Sequence, residues 1–208
     1  MSGRPLLEVR DLSIRFGALT AVDGMSFQVA AGSITSVIGP NGAGKSTLFN
    51  LISGALRPAG GQVLLEGRAV TGASPMEMRK AGLARSFQIT NLFPELSVFE
   101  NLRLAAQVLE PSLRLLLPVG RSARARDKIE ALVEPTQGMS HCDTQDTAVM
   151  IKGLAGELTV LLVEHDIGLV MGLSDHVVVM QQGAKLAEGS PTEVRANPAV
   201  QAAYLGHA

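Results

Sequence analysis

Hydrophobic and polar positions divide the first three quarters of the chain into strand-like and helix-like segments. Period-two alternation or short apolar runs predict strands at Leu6–Phe16, Met25–Val29, Ser33–Ile38 and Gln62–Leu65. Helical spacing predicts helices at Lys45–Ser53, Pro75–Ala81, Ser97–Leu109 and Asp143–Leu154. Strands that alternate with helices are typical of a largely parallel sheet with helices packed on its faces.

The last quarter of the chain keeps the same rhythm. A buried strand is predicted at Leu158–Val163, a short helix at Ile167–Leu173, and a hairpin from Val177–Met180 and Lys185–Ala187. Ser190 is followed by Pro191 and then by Glu193, which is the order of an N-cap, a proline at N1 and an acidic residue at N3. A final helix is therefore expected to begin there.

Composition adds limits to this picture. The 208 residues fit one domain, and 46% apolar residues with 18% charged residues can build a packed core. The net charge of −1 gives no basic field, so nucleic acid is not an expected partner. Cys142 is the single cysteine, which excludes an intrachain disulfide and suits a reducing compartment.

No run approaches the roughly 20 apolar residues of a membrane span, and no signal peptide is predicted. Another chain is then expected to supply any membrane anchor.

One short segment carries most of the chemistry. It runs Gly39, Pro40, Asn41, Gly42, Ala43, Gly44, Lys45, Ser46, Thr47 and matches the pattern G-x-x-x-x-G-K-[ST] between a predicted strand and a predicted helix. Its glycines allow backbone N–H groups to turn towards phosphate oxygens. Lys45 can reach the β- and γ-phosphates, and the Ser46 hydroxyl can ligate Mg²⁺. The segment therefore predicts a phosphate-binding loop.

The segment GPNGAGKST resembles the phosphate loop of the ATP-binding subunits of ABC transporters, and other motifs of that family follow in the same order. In such a subunit Phe16 would stack on adenine, although a strand phenylalanine that packs on the core is an equal alternative. Gln88 matches the Q-loop glutamine, which contacts Mg²⁺ and the attacking water. Glu134 matches the general base, and His165 matches the switch histidine that contacts the γ-phosphate.

Longer stretches are most similar to the subunits of branched-chain amino acid importers, namely ARSFQITNLFPELSVFENL, the segment Leu158–Asp166 and the C-terminal ending. The ATPase subunits of urea and amide importers and of lipopolysaccharide export share much of this sequence. The resemblance implies a P-loop NTPase core, an N-terminal antiparallel β-subdomain and a helical subdomain, of which about residues 89–128 remain here. It also implies ATP and Mg²⁺ as cofactors, with Ser46 and Gln88 near the metal.

The resemblance further implies a set of partners. They are a second ATPase subunit, transmembrane permease subunits and, indirectly, a periplasmic solute-binding protein. The chain would then lie peripherally on the cytoplasmic face of the inner membrane.

The chain departs from the family pattern in its middle. An LSGGQ-type signature is absent from the sequence between Gln88 and Glu134, and Val133 stands where the Walker B aspartate is expected. Glu130 interrupts the apolar run of that strand. The pattern indicates an internal deletion that joins the helical subdomain to the last residue of the Walker B motif. We therefore expect ATP binding through Lys45 but little or no turnover by the chain alone.

Three functions remain open at this stage. The first is a transport ATPase subunit, which family membership favours. The second is a non-enzymatic nucleotide-binding remnant, arising by internal deletion, that binds ATP weakly or not at all, which the missing signature favours. The third is an ABC protein acting on ribosomes or in DNA repair, but the paired cassettes or coiled-coil insertions usual in that class are absent from the sequence.

Overall fold

The computed structural model describes residues 5–85, 158–163 and 167–205. The chain divides into two compact units, one of Met1–Arg85 with Asp143–Ala208 and the other of Ser86–Cys142. The second unit lies outside the described residues. So do the helices predicted at Ser97–Leu109 and Asp143–Leu154, the remnant helical subdomain, and the segment before Glu134. In the described part of the chain, no helix has the length and apolar character needed to cross a membrane.

The first sheet is antiparallel and has the strand order β2-β1-β4-β5. Its strands are β1 (Leu7–Phe16), β2 (Leu19–Val29), β4 (Gly60–Leu65) and β5 (Arg68–Ala69). This confirms the antiparallel N-terminal subdomain. However, β2 starts six residues before the predicted strand, because Asp23 and Gly24 break the alternation where the β1–β2 register shifts.

The second sheet has the order β6-β3-β7-β8. Its strands are β3 (Ile34–Ile38), β6 (Val160–Val163), β7 (His176–Gln181) and β8 (Ala184–Gly189). β3 runs parallel to both β6 and β7, whereas β8 returns antiparallel to β7 as the predicted hairpin. All of β3 is buried. The prediction of a buried strand at Leu158–Val163 is wrong in part, since β6 is only half-buried and Leu158 is 54% exposed.

Five helices accompany the sheets in the described residues: α1 (Lys45–Ile52), α2 (Pro75–Lys80), α3 (Ile167–Leu173), α4 (Pro191–Ala196) and α5 (Pro198–Leu205). Ser190 and Glu193 form the expected capping box at the start of α4. The predicted single final helix is in fact two, because Asn197 adopts an extended conformation before Pro198. A proline disfavours the helical conformation in the residue before it.

The hydrophobic core lies on both faces of β3. Val37 belongs to a cluster with the first sheet and α1, which includes Leu12, Met25 and Leu48. Ile38 belongs to a second cluster with Val170, Val177, Val179, Val194 and Val200, contributed by β7 and helices α3 to α5. Because successive side chains of a strand point to opposite faces, one central strand serves both clusters. β3 is therefore packed on both faces up to its last residue, Ile38.

Candidate nucleotide-binding site

The candidate site begins where the buried strand β3 ends. Gly39 follows Ile38 directly, the loop runs to Gly44, and α1 starts at Lys45. Ala43 is buried in the first core cluster and its N–H donates to Pro40 O at 3.2 Å. Strand, loop and helix thus follow one another as the sequence predicts, and the buried Ala43 anchors the loop in the core.

Two glycines in the loop are required by close packing. Gly39 has φ +156° and Gly44 has φ +97°. A Cβ on Gly39 would overlap the carbonyl oxygen of Met180, and one on Gly44 would overlap the carbonyl oxygen of Ala21. Any side chain at either position would push the loop away from β7 or β2, so the glycines allow the backbone to seat tightly against both sheets.

The Lys45 ammonium lies across the loop that precedes it. Its Nζ donates to Gly39 O at 2.6 Å and to Pro40 O at 2.9 Å. Partial burial lowers the pKa of Lys45 below its usual value. The positive charge is therefore held over the backbone of the loop, where a phosphate group entering the loop would meet it.

The N-terminus of α1 is suited to an anion. Gly44 is the N-cap and provides no side-chain hydrogen bond, and the first turn contains no acidic residue. The initial N–H groups of a helix have no intrahelical acceptor, and the helix dipole places partial positive charge there. Ser46 is exposed in this first turn and Thr47 is half-buried. The hydroxyl of Ser46 is therefore accessible next to Lys45 in sequence.

Long-range backbone contacts support the loop from the β7–β8 turn. The Gly183 N–H donates to Ala43 O at 3.0 Å, and the Asp23 N–H donates to Gly183 O at 2.9 Å. Sequence reasoning predicted this turn as part of a hairpin but did not connect it to the loop. The two segments are some 140 residues apart in the sequence, and no local pattern reveals that they meet.

Phe16 lies at the hairpin end of β1, paired with Leu19 of β2. Its side chain is 48% exposed and Leu19 is 67% exposed, so Phe16 is not a core residue. The next residues of β2 reach the loop, because Ala21 O is the atom that Gly44 approaches. Phe16 is therefore an exposed aromatic residue on the hairpin that flanks the loop, and its contact with adenine stays a prediction.

The other predicted site residues, Gln88, Glu134 and His165, lie outside the described residues, so their placement in the site is not described. Sequence reasoning also overlooked Tyr204 of α5, which lies near the loop. Its hydroxyl is buried and lies close to the backbone of Gly39, but without the geometry of a hydrogen bond. Burial raises the pKa of Tyr204 to about 12.

A glycine loop between a buried parallel strand and a helix, with a lysine folded over it, defines a P-loop nucleotide-binding domain. The chain belongs to the ABC transporter family, whose model matches residues 22–162, and the model described as a branched-chain amino acid ATP-binding cassette transporter matches residues 184–208.

Two curated relatives resemble the chain over nearly its full length. One is the high-affinity branched-chain amino acid transport ATP-binding protein BraF of Pseudomonas aeruginosa, 36% identical over 99% of each chain. The other is LivG of Escherichia coli, 34% identical over 99% of each chain. The alignment with BraF extends over 253 residues although this chain has 208, so it passes several dozen positions where the chain has no residue.

Solved structures agree on the fold. The ADP conformation of an ATP-binding cassette of an ABC transporter superposes with a TM-score of 0.77 at 27% identity, covering 98% of this chain and 100% of that one. A nucleotide-free ABC cassette gives a TM-score of 0.78 at 25% identity, with 97% and 99% covered. The predicted ABC ATPase fold is therefore confirmed.

Proposed function

We propose that this chain is the ATP-binding subunit of an importer for branched-chain amino acids. The observation that carries the proposal is the loop from Gly39 to Gly44 with Lys45 folded over it, in a chain whose C-terminal segment matches the branched-chain amino acid cassette model. BraF and LivG, whose names state that role, are similar along the whole chain. The loop supports nucleotide binding, and the similarity supports the class of solute.

In this function the triphosphate of ATP occupies the loop. Backbone N–H groups of residues 41–46 and the N-terminus of α1 donate to the phosphate oxygens. Lys45 exchanges the carbonyls of Gly39 and Pro40 for the β- and γ-phosphates, since a charge-assisted bond to an anion is stronger than one to a neutral carbonyl. Phe16, exposed beside the loop, provides an aromatic face for adenine.

Mg²⁺ fits the residues of the first turn of α1. The exposed Ser46 hydroxyl is a hard oxygen ligand of the kind that Mg²⁺ accepts together with nucleotide phosphates. When bound, the ion neutralises charge that develops between the β- and γ-phosphates. Gln88 is the second residue proposed near the metal, and Glu134 and His165 are proposed as the general base and the γ-phosphate contact.

The partners in this function are a second ATPase subunit and transmembrane permease subunits, with a periplasmic solute-binding protein acting through the permease. The chain would work peripherally, on the cytoplasmic face of the inner membrane. Closure of the two ATPase subunits on ATP would pull on the permease. The composite ATP site of such a pair needs a signature segment from the opposite subunit, so an intact second subunit is the partner this chain requires.

A second candidate is a subunit that binds ATP without hydrolysing it. It is favoured by the absence of a Ser-Gly-Gly signature in the sequence between Gln88 and Glu134 and by Val133 at the Walker B aspartate position. Two copies of this chain would offer two phosphate loops and no signature. Valine also cannot hold the water molecule that orders Mg²⁺.

Isothermal titration with Mg-ATP and a phosphate-release assay test these candidates. We expect binding that Lys45→Ala weakens by about a hundredfold, because a charge-assisted contact to phosphate is lost. The control Lys80→Ala changes an exposed lysine of α2 and should bind as the parent does. Little or no turnover is expected from the chain alone. Steady phosphate release that Glu134→Gln abolishes would favour a self-sufficient ATPase, and absence of ATP binding would refute both candidates.

A further inference from the structure

A cavity of about 650 Å³ lies at the other end of β3 from the phosphate loop. Its walls come from β1 and β2 of the first sheet and from β3, β7 and β8 of the second. Thr35, near the start of β3, lines it, whereas Gly39 follows the end of that strand, roughly 13 Å away in an extended chain. Its volume is in the range of small-molecule sites. We call it the mixed-charge cavity, after Glu8, Arg10, Lys185 and Glu188 on its walls.

Four charged side chains of the cavity stand in two opposite pairs, whereas Asp175, which also lines it, accepts from the Ile34 N–H. Arg10 Nη2 donates to Glu8 Oε2 at 2.8 Å on the first sheet. Lys185 Nζ donates to Glu188 Oε1 at 2.9 Å on β8 and also reaches across to Ser26 O of β2 at 2.6 Å. Both pairs are partly exposed, so a ligand with one charge would displace one member of a pair at a modest cost. A ligand with both charges can join such a pair and leave neither side unmatched.

Thr35 gives an independent indication of a polar ligand. Its side chain is fully buried, and its Oγ1 has no hydrogen-bond partner within the described part of the chain. Buried hydroxyls without partners are uncommon in folded proteins. Val9 and Phe27, almost fully buried residues of the first core cluster, border the same cavity beside it. The cavity therefore combines paired charges, a buried hydroxyl without a partner and an apolar wall.

From this combination we propose that the mixed-charge cavity binds an α-amino acid with an apolar side chain. The ammonium would face Glu188, the carboxylate would face Lys185 and the Thr35 hydroxyl, and the side chain would lie against Val9 and Phe27. Such a ligand belongs to the class of solute in the proposed function, on which the choice of amino acid rests. The cavity would then sense the cargo on the side of the membrane where ATP binds.

Calorimetric titration of the full chain with L-leucine tests the proposal. Isocaproate, which lacks the ammonium, and isoamylamine, which lacks the carboxylate, are the matched ligands and should bind at least about tenfold more weakly. Thr35→Val replaces a hydroxyl that makes no hydrogen bond in the described structure with a methyl group of similar size, so the fold should be retained. It should raise the leucine Kd by about tenfold, as should Lys185→Met. Lys80→Met, on the exposed face of α2, should leave the Kd unchanged.

Each result decides the matter. Leucine binding that Thr35→Val and Lys185→Met weaken, and Lys80→Met does not, would support the cavity as the site. No leucine binding to a preparation that binds Mg-ATP would overturn this inference and leave the proposed function standing. Leucine binding that is equal in Thr35→Val and the parent would place the ligand elsewhere and overturn it too. Should Lys185→Met fail to fold, Thr35→Val still gives the answer.

Discussion

The Arg85 guanidinium donates from Nη1 to Asn50 Oδ1 at 2.7 Å, which ties the segment after α2 to the last turn of α1. The same nitrogen donates to Ser53 Oγ at 2.8 Å, and the guanidinium lies 5.5 Å from the centroid of the Phe49 ring. Since α1 begins at Lys45, the helix that follows the glycine loop is held at its far end by a residue three positions before Gln88. A positive charge alone would not hold the helix in this way, because a lysine lacks the planar group that both donates hydrogen bonds and stacks on the ring.

Arg85→Lys is therefore expected to destabilise the domain despite keeping the charge. Loss of the hydrogen bonds and of the stacking on Phe49 should lower the free energy of unfolding by about 1–3 kcal/mol. Urea unfolding followed by circular dichroism measures this change. The matched control is Arg79→Lys, on the exposed face of α2, which should stay within about 0.5 kcal/mol of the parent. Equal stability of the two variants would mean that the Arg85 contacts contribute nothing net.

The two loop glycines Gly44 and Gly42 should respond differently to alanine. A Cβ on Gly44 meets the backbone oxygen of Ala21, whereas one on Gly42 meets nothing nearby, although both residues have positive φ. Gly42→Ala should cost about 1–2 kcal/mol, the cost of a left-handed alanine. Gly44→Ala should cost more than about 3 kcal/mol, because backbone must also move. Thermal unfolding of both variants provides the comparison, and a Gly44→Ala protein as stable as Gly42→Ala would contradict the tight seating of the loop.

ATP affinity is expected to depend on pH through Lys45. Burial lowers the pKa of this lysine, so its charge is lost at a lower pH than that of an exposed lysine. The bound phosphates favour the charged form, and affinity should therefore be full at neutral pH and should fall as the pH rises through the lowered pKa. Titrations with ATP at increasing alkaline pH measure this fall.

The control for this dependence is Lys45→Arg, whose guanidinium keeps its charge throughout. Its ATP affinity should be weaker at neutral pH, because a larger planar guanidinium replaces the compact ammonium over the loop, but it should be flat over the alkaline range. A parent and an arginine variant with the same pH profile would show that another group titrates.

Sequence patterns predicted the loop of the candidate site because its residues are consecutive. The loop at 39–47 needs only local order, namely an apolar strand, glycines and a helix start, and all three are found where predicted. The contacts that support the loop were not predictable. Ala21, Gly183 and Tyr204 reach it from distant parts of the chain, and their own local patterns indicate only a strand, a turn and a helix. The last helix was predicted as one element because the capping residues at Ser190 indicate where it begins but not where it ends, and Pro198 divides it.

Tyr204 is expected to ionise only near its raised pKa of about 12. Its titration therefore measures whether helix α5 buries the phenol in solution. The chain has one tyrosine and no tryptophan, so the ultraviolet absorbance of phenolate reports this residue alone. Unfolded tyrosine has a pKa of about 10, so between the two values the unfolded chain binds fewer protons and stability should fall as the pH rises.

Tyr204→Phe removes the buried hydroxyl and with it this alkaline loss, and the phenyl ring still packs against the cluster around Ile38. We expect the variant to be as stable as the parent at neutral pH or more so, because a buried hydroxyl without a hydrogen bond gives no compensation for its lost hydration. A phenolate that appears in the folded protein near the ordinary pKa would mean that α5 does not bury Tyr204 beside Gly39. A large loss of stability in Tyr204→Phe would instead assign the hydroxyl a hydrogen bond to the loop.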